Sequence, residues 1–159
     1  MTKSHKAPTI EEFKIILRKY GLKATRQRLS VHKAMLALGH ASADMVSEEI
    51  ASGGEDCVTV ASVYNILSQA ALLGLYSHRL SANNKMYFDV NTFRHIHLYD
   101  SVNNTFRDIV DDDLVNDICA RIGKRKFRGY KVEGIDVQIV CRPTGSLRPS
   151  GTSSGKSKI

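Results

Sequence analysis

The stretch that decides the fold is TVASVYNILSQAALLGLYSHRLSANNKMYFDV, residues 59–90. Its first part predicts a helix that is capped by Thr59, runs from Val60 to about Leu73 and ends at Gly74. Two short strands and the turn between them follow, at residues 75–80, 85–90 and 81–84, respectively. A helix followed directly by a two-stranded hairpin indicates that the hairpin packs beside a helical unit.

Three more helices are predicted before this stretch. Apolar residues recur every three or four positions in residues 10–20, and Thr25 and Ser42 are suitable caps for the next two helices. The helix that begins after Thr25 is expected to bury four residues: Leu29, Met35, Leu36 and Leu38. Helices followed by a two-stranded wing describe a winged helix-turn-helix, in which the helix before the wing enters the major groove of DNA.

A second, smaller unit follows the wing. Strands are predicted at 95–99 and 105–109, a helix begins at the acidic run 111–113, and a last strand covers 130–141. So small a unit buries little core by itself, and a second copy of the chain is the simplest partner. The fold class expected is therefore α+β. Its predicted divisions are a winged-helix domain at 1–90, an α/β dimerisation domain at 91–142 and a disordered basic tail at 143–159.

Charge is distributed unevenly along the 159 residues, whose net charge is +7. Residues 1–33 hold nine Lys or Arg against two acids, and residues 142–159 hold four against none. Basic ends around an acidic middle suggest a polyanion, most often nucleic acid. No apolar run is long enough to span a membrane, no export segment is evident, and the three cysteines are scattered, which together suit a reducing cytoplasm.

The sharpest chemical feature is the pair His95 and His97. Alternate side chains of a strand share a face, so both imidazoles project the same way and can bind one metal ion, although a solvated pair is the commoner reason for such a motif. Asp89 ends the wing, Asp108 lies on the strand expected to pair back, and His40 precedes the third helix. This nitrogen and oxygen donor set suits Fe(II) or Mn(II), with Zn(II) or Co(II) also able to bind.

The sequence resembles the ferric uptake regulator superfamily over roughly residues 10–141. The matching stretches are GLKATRQRL (21–29), HASA (40–43), TVASVYNIL (59–67), GL (74–75), YFD (87–89) and HIH (95–97). The resemblance implies a homodimeric, metal-dependent repressor that binds a double-stranded DNA operator and is not an enzyme.

The resemblance also assigns residues. Five fall on the regulatory metal ligands of the peroxide-sensing branch: His40, Asp89, His95, His97 and Asp108. In that branch bound Fe(II) reacts with peroxide, ligand histidines are oxidised, and repression is lifted; the matching histidines are His40 and His95. The DNA-binding positions are Lys23, Ser62, Tyr64 and Asn65, where Tyr64 would pack on a thymine methyl group and Asn65 replaces a common arginine.

One departure from the family pattern stands out. The family's structural zinc uses two CxxC pairs, and the matching positions hold Asp100, Asn103, Cys141 and Thr144. A four-cysteine zinc site is therefore not expected. Some members without this zinc sense iron or haem, so an iron- or haem-responsive regulator remains an alternative. A metalloenzyme with open-site Fe(II) and a DNA-binding protein without metal are the other two interpretations.

Overall fold

The computed structural model describes residues 7–54 and 57–145. Most of the predicted tail 143–159 lies outside these residues. Within them the chain forms five helices and six strands, which confirms the mixed helix and sheet class. None of the described helices is long and apolar enough to cross a membrane.

Four helices come first, and each of their starts is fixed by a hydroxyl. They are α1 (Ile10–Lys19), α2 (Arg26–Leu38), α3 (Ala43–Ser52) and α4 (Val60–Leu72). The caps are Thr9, Thr25, Ser42 and Thr59, whose side-chain oxygens accept from backbone N–H groups one turn ahead. Each such cap satisfies a helix-end donor and contributes about 1 kcal/mol.

The buried face of α2 differs from the predicted one. Val31, Ala34 and Met35 lie in the core, whereas Leu36 is 38% exposed. The error arises because α2 packs against both α1 and α3, so two directions of the helix compete for the apolar residues. His32, which is fully buried on the same face, has no counterpart in the prediction.

The first sheet holds the wing and one unpredicted strand. Its strands are β1 (His40–Ala41), β2 (Ser77–Leu80) and β3 (Met86–Asp89), in the order β1-β3-β2, all antiparallel. Both wing strands are slightly shorter than predicted. β1 has only two residues, and it exists through its pairing with β3 rather than through any local pattern.

The second sheet has the order β5-β4-β6. Its strands are β4 (Ile96–Asp100), β5 (Thr105–Ile109) and β6 (Val137–Cys141), and α5 (Asp112–Gly123) precedes β6. Asp111 caps α5, within the acidic run that predicted the helix start. The strand predicted at 130–141 is confirmed only from Val137 onward, since the exposed segment before it has no strand partner among the described residues.

Candidate metal centre

Sheet register brings candidate ligands together in pairs. His40 stands directly opposite Asp89 in the β1–β3 ladder, and His97 stands directly opposite Asp108 in the β4–β5 ladder. His95 lies two residues before His97, on the same face. Because β1 also packs against β5, the two pairs meet between the two sheets.

The five predicted ligands form one cluster. Each offers one nitrogen or carboxylate oxygen, and these five atoms lie within 4.8 Å of one another. Asp89 Oδ2 is 3.0 Å from His95 Nε2, 3.1 Å from His97 Nε2 and 3.5 Å from His40 Nδ1. Asp108 Oδ1 accepts a hydrogen bond from His40 Nε2 and lies 3.2 Å from His95 Nε2.

Two of the imidazoles have a neighbouring group at the ring nitrogen that faces away from the cluster. His95 Nδ1 donates to the backbone carbonyl of Phe93 at 2.6 Å, so in the neutral ring Nε2 carries the lone pair that faces the cluster. His97 Nδ1 is buried and lies 3.4 Å from Asp136 Oδ1, without the alignment of a hydrogen bond. A second partner of this kind on a ligand histidine is typical of metal sites.

The pKa shifts within the cluster are those expected of a cation-binding site. Burial favours the neutral ring of His95, but hydrogen bonds to Asp108 and Asp89 outweigh it and raise the pKa to about 10. Burial also opposes ionisation of Asp108 and of Asp89, yet hydrogen bonds from the histidines lower the pKa of both carboxyl groups. Two ionised carboxylates, one buried and one partly buried, are thus held beside the protonated imidazole of His95, and a divalent cation can replace that proton.

The residues present fit Fe(II) or Mn(II). Three imidazoles and two carboxylates supply five donors without a thiolate, and the two carboxylates carry the charge that neutralises a divalent ion. The side chains of His40, Asp89, His95 and His97 are at most 8% exposed, which excludes most water from the donors. Within the described residues, the three cysteines are all unpaired and lie outside this cluster.

Two of the positions that match the family's structural zinc, Asp100 and Asn103, lie in a hydrogen-bonded turn. The Asp100 carboxylate accepts from the backbone N–H groups of Val102 and Asn103 and from Asn103 Nδ2. The Cys141 thiol lies 3.4 Å from the carbonyl oxygen of Tyr99. The one cysteine at these positions is therefore engaged with backbone, beside a turn closed by a carboxylate.

The four predicted DNA-binding residues occupy two places. Tyr64 (44% exposed) and Asn65 lie on the outer face of α4, and Lys23 is exposed in the segment before α2. Ser62 is different, because its hydroxyl accepts from Thr59 at the start of α4 and its side chain is half-buried. The structure thus places three of them in solvent and one in the helix cap.

Two residues next to the cluster were missed from the sequence. Asn91 hydrogen-bonds to both carboxylates, and Asp136 connects His97 with Arg79 on the wing. Nothing in the local sequence distinguishes them from ordinary polar loop residues, so only the folded chain reveals their positions.

Comparison with known proteins identifies one matching family. The model of the ferric uptake regulator family matches residues 19–140. No curated protein matches the sequence.

Solved structures share the fold. The Vibrio cholerae ferric uptake regulator is similar with a TM-score of 0.69 at 20% identity, over 82% of this chain and 99% of that one. The Pseudomonas aeruginosa ferric uptake regulator, solved with manganese, has a TM-score of 0.62 at 24% identity, over 81% and 96%. The Campylobacter jejuni peroxide stress regulator has a TM-score of 0.62 at 25% identity, over 83% and 96%.

Proposed function

The chain belongs to the ferric uptake regulator family, whose members are transcription regulators and not enzymes, and from this we propose that it is a metal-dependent repressor. Its regulatory metal would be Fe(II) or Mn(II), with Zn(II) binding in vitro, and its partner a double-stranded DNA operator. The observation that carries the proposal is the single cluster of His40, Asp89, His95, His97 and Asp108. A repressor works on the chromosome, so we assign it to the cytoplasm.

The positions of the proposed ligands suggest how metal binding changes the affinity for DNA. His40 and Asp89 belong to the sheet that contains the wing, whereas His95, His97 and Asp108 belong to the second sheet and the segment that leads into it. One metal ion bound by donors from both sheets fixes the angle between the recognition helix α4 and the second sheet. A metal ion that binds this arrangement better than an open one shifts the population toward it, and DNA affinity rises with occupancy.

An ion pair beside the cluster also connects the wing with the second unit. Arg79 on β2 donates to Asp136 at 2.7 Å, and its guanidinium carbon sits 5.6 Å from the centre of the Phe106 ring on β5. Because Asp136 also faces His97, the wing and a metal ligand share one carboxylate. This contact supports transmission from the cluster to the wing.

We also propose that the repressor acts as a homodimer without structural zinc. About half of the large apolar side chains of the second unit are exposed: Val102, Val110, Leu114, Phe127, Tyr130, Val132, Ile135, Ile139 and Val140. Among the described residues β6 is an outer strand of its sheet, so one of its edges is open for pairing. So much exposed apolar surface beside an unpaired edge favours a second copy, as in the family.

For the signal we propose hydrogen peroxide. Bound Fe(II) would supply the chemistry, in which peroxide is reduced to water as one oxygen atom is added to the imidazole of His40 or His95. The Phe93 carbonyl accepts from His95 Nδ1 and so turns Nε2 toward the cluster, and an oxidised ring would no longer present Nε2 as a donor. An iron sensor with the same ligands is the alternative; haem fits less well, because donors within 4.8 Å of one another surround an ion rather than a macrocycle.

The test is anaerobic loading with Fe(II), brief exposure to peroxide, and mass spectrometry of the peptides that contain His40 and His95. A gain of one oxygen with loss of iron and of operator binding is expected. Iron that binds and supports DNA binding without histidine oxidation would replace the peroxide signal by iron itself. A chain that binds neither Fe(II) nor Mn(II) would contradict the metal-dependent repressor.

A further inference from the structure

Asn91, which is not one of the five predicted ligands, hydrogen-bonds to both carboxylates of the cluster. Its backbone N–H donates to Asp89 Oδ1 at 2.7 Å, and its side-chain Nδ2 donates to Asp108 Oδ2 at 3.0 Å. Ionised carboxylates only accept hydrogen bonds, so the amide nitrogen rather than the amide oxygen must face Asp108.

These two bonds divide each carboxylate into an inner and an outer oxygen. Asp89 Oδ2 and Asp108 Oδ1 face the histidines at the distances given above, while Asp89 Oδ1 and Asp108 Oδ2 face Asn91. The same division occurs on two strands from different sheets. A single residue, two positions after Asp89, produces it on both sides.

The division matters because a carboxylate can bind a cation through one oxygen or through both. The N–H bond from Asn91 holds each carboxylate in an orientation in which its other oxygen faces the histidines. Five side chains that each offer one atom make five donors, one fewer than the six of an octahedral ion.

We infer that Asn91 is a positioning residue that limits Asp89 and Asp108 to one metal-facing oxygen each and so leaves one coordination position for a small ligand. This inference rests on the proposed metal site, and it gives that site room for a molecule of the size of peroxide or water. Partners of this kind behind metal ligands change affinity by about 10- to 100-fold when removed.

The variant Asn91→Ala tests this on the full-length chain. It keeps the backbone N–H that Asp89 uses and removes only the amide that holds Asp108, so the second oxygen of Asp108 becomes available. Asn103→Ala is the matched control, because Asn103 Nδ2 makes the same kind of bond, at 2.8 Å, to Asp100 outside the cluster. Thermal unfolding of the metal-free proteins checks that both variants fold.

Two measurements without any DNA or peroxide decide the outcome. For Asn91→Ala we expect Mn(II) affinity by calorimetry to fall about tenfold, and the visible bands of bound Co(II) to weaken as a further oxygen donor joins. Asn103→Ala should match the wild type in both. A Co(II) spectrum of Asn91→Ala identical to that of the wild type overturns the inference while the proposed function stands. If the wild type itself binds neither Mn(II) nor Co(II), the proposed function fails and the inference with it.

Discussion

His40 and Asp89 face each other across a ladder that has only two residue pairs. His40 is the one member of the five-residue cluster that precedes α4, and it reaches the cluster because β1 adds to the wing sheet. The same ring donates to Asp108 on the second sheet. A very short strand thus connects the helical unit with both carboxylates of the proposed metal site.

Loss of one ligand should abolish the metal response. His95→Ala removes an imidazole that contacts both Asp89 and Asp108, so we expect Mn(II) affinity to fall by at least about 100-fold and the increase of operator affinity with Mn(II) to disappear. Calorimetry and fluorescence anisotropy measure the two quantities. His78→Ala, an exposed histidine on the wing outside the cluster, is the control. Equal metal stimulation in His95→Ala would refute the site.

Helix starts and the histidine pair of the cluster could be predicted from sequence because local chemistry determines them. Thr25, Ser42 and Thr59 cap helices through bonds to residues three positions ahead, and His95 and His97 share a strand face by simple alternation. Helix caps and strand faces depend on residues only two or three positions apart, so the sequence alone is enough to predict them.

Features that depend on distant partners could not be predicted. The two-residue β1 requires β3, some fifty residues away, and the start of β6 depends on where pairing with β4 begins. Asn91 and Asp136 gain their roles only when two sheets approach each other. The sequence pattern places Leu36 in the core because α2 has several apolar directions, and only tertiary packing selects among them.

The ion pair between Arg79 and Asp136 should couple the wing to the second unit by a small, measurable free energy. Asp136 is more than half exposed, so solvent screens the pair, and a double-mutant cycle with Arg79→Met and Asp136→Asn should give a coupling of about 0.2–1 kcal/mol in urea unfolding. The same Arg79→Met variant should lower metal-stimulated operator affinity more than Mn(II) affinity. Additive effects of the two substitutions would show that the bridge carries no coupling.

Tyr64 should read sequence rather than supply general affinity. Its ring is 44% exposed on α4, where it can contact a thymine methyl group in the major groove. Tyr64→Ala should therefore reduce discrimination between operator and a mismatched site by about 1–3 kcal/mol, with little change on random DNA. Leu72→Ala, exposed at the other end of α4, is the control. Undiminished discrimination would mean that a different surface reads the operator.

Lys23 should act through charge. It is exposed just before the Thr25 cap, and its backbone carbonyl is held by Arg28 at 2.7 Å, which fixes the segment that presents it. Lys23→Ala should weaken binding to all sequences and reduce the slope of log K against log salt by about one. Lys124→Ala at the end of α5 should leave the slope unchanged. A slope that falls equally in both variants would contradict a specific phosphate contact.

His32 lies outside the metal cluster and is enclosed by the helical unit. It stacks on Phe13 with 4.0 Å between ring centres, its Nε2 donates to the Pro8 carbonyl, and its Nδ1 accepts from the Tyr76 hydroxyl, both at 2.7 Å. Both ring nitrogens are thus satisfied in the neutral form. Burial lowers the pKa of His32, and the bond to Pro8 opposes this only in part.

This buried histidine should make the metal-free protein lose stability in mild acid. Between the lowered pKa of the folded state and about 6.5, the unfolded chain binds more protons, so the free energy of unfolding falls as pH falls, by at most about 1.4 kcal/mol per unit. Above pH 6.5 or so the contribution is complete. Urea unfolding of wild type and His32→Gln, both with chelator, measures the difference, in which the cluster histidines cancel. The wild-type advantage should shrink as pH falls below that value, because only the wild type has a ring to protonate; a constant difference across the range would contradict the argument.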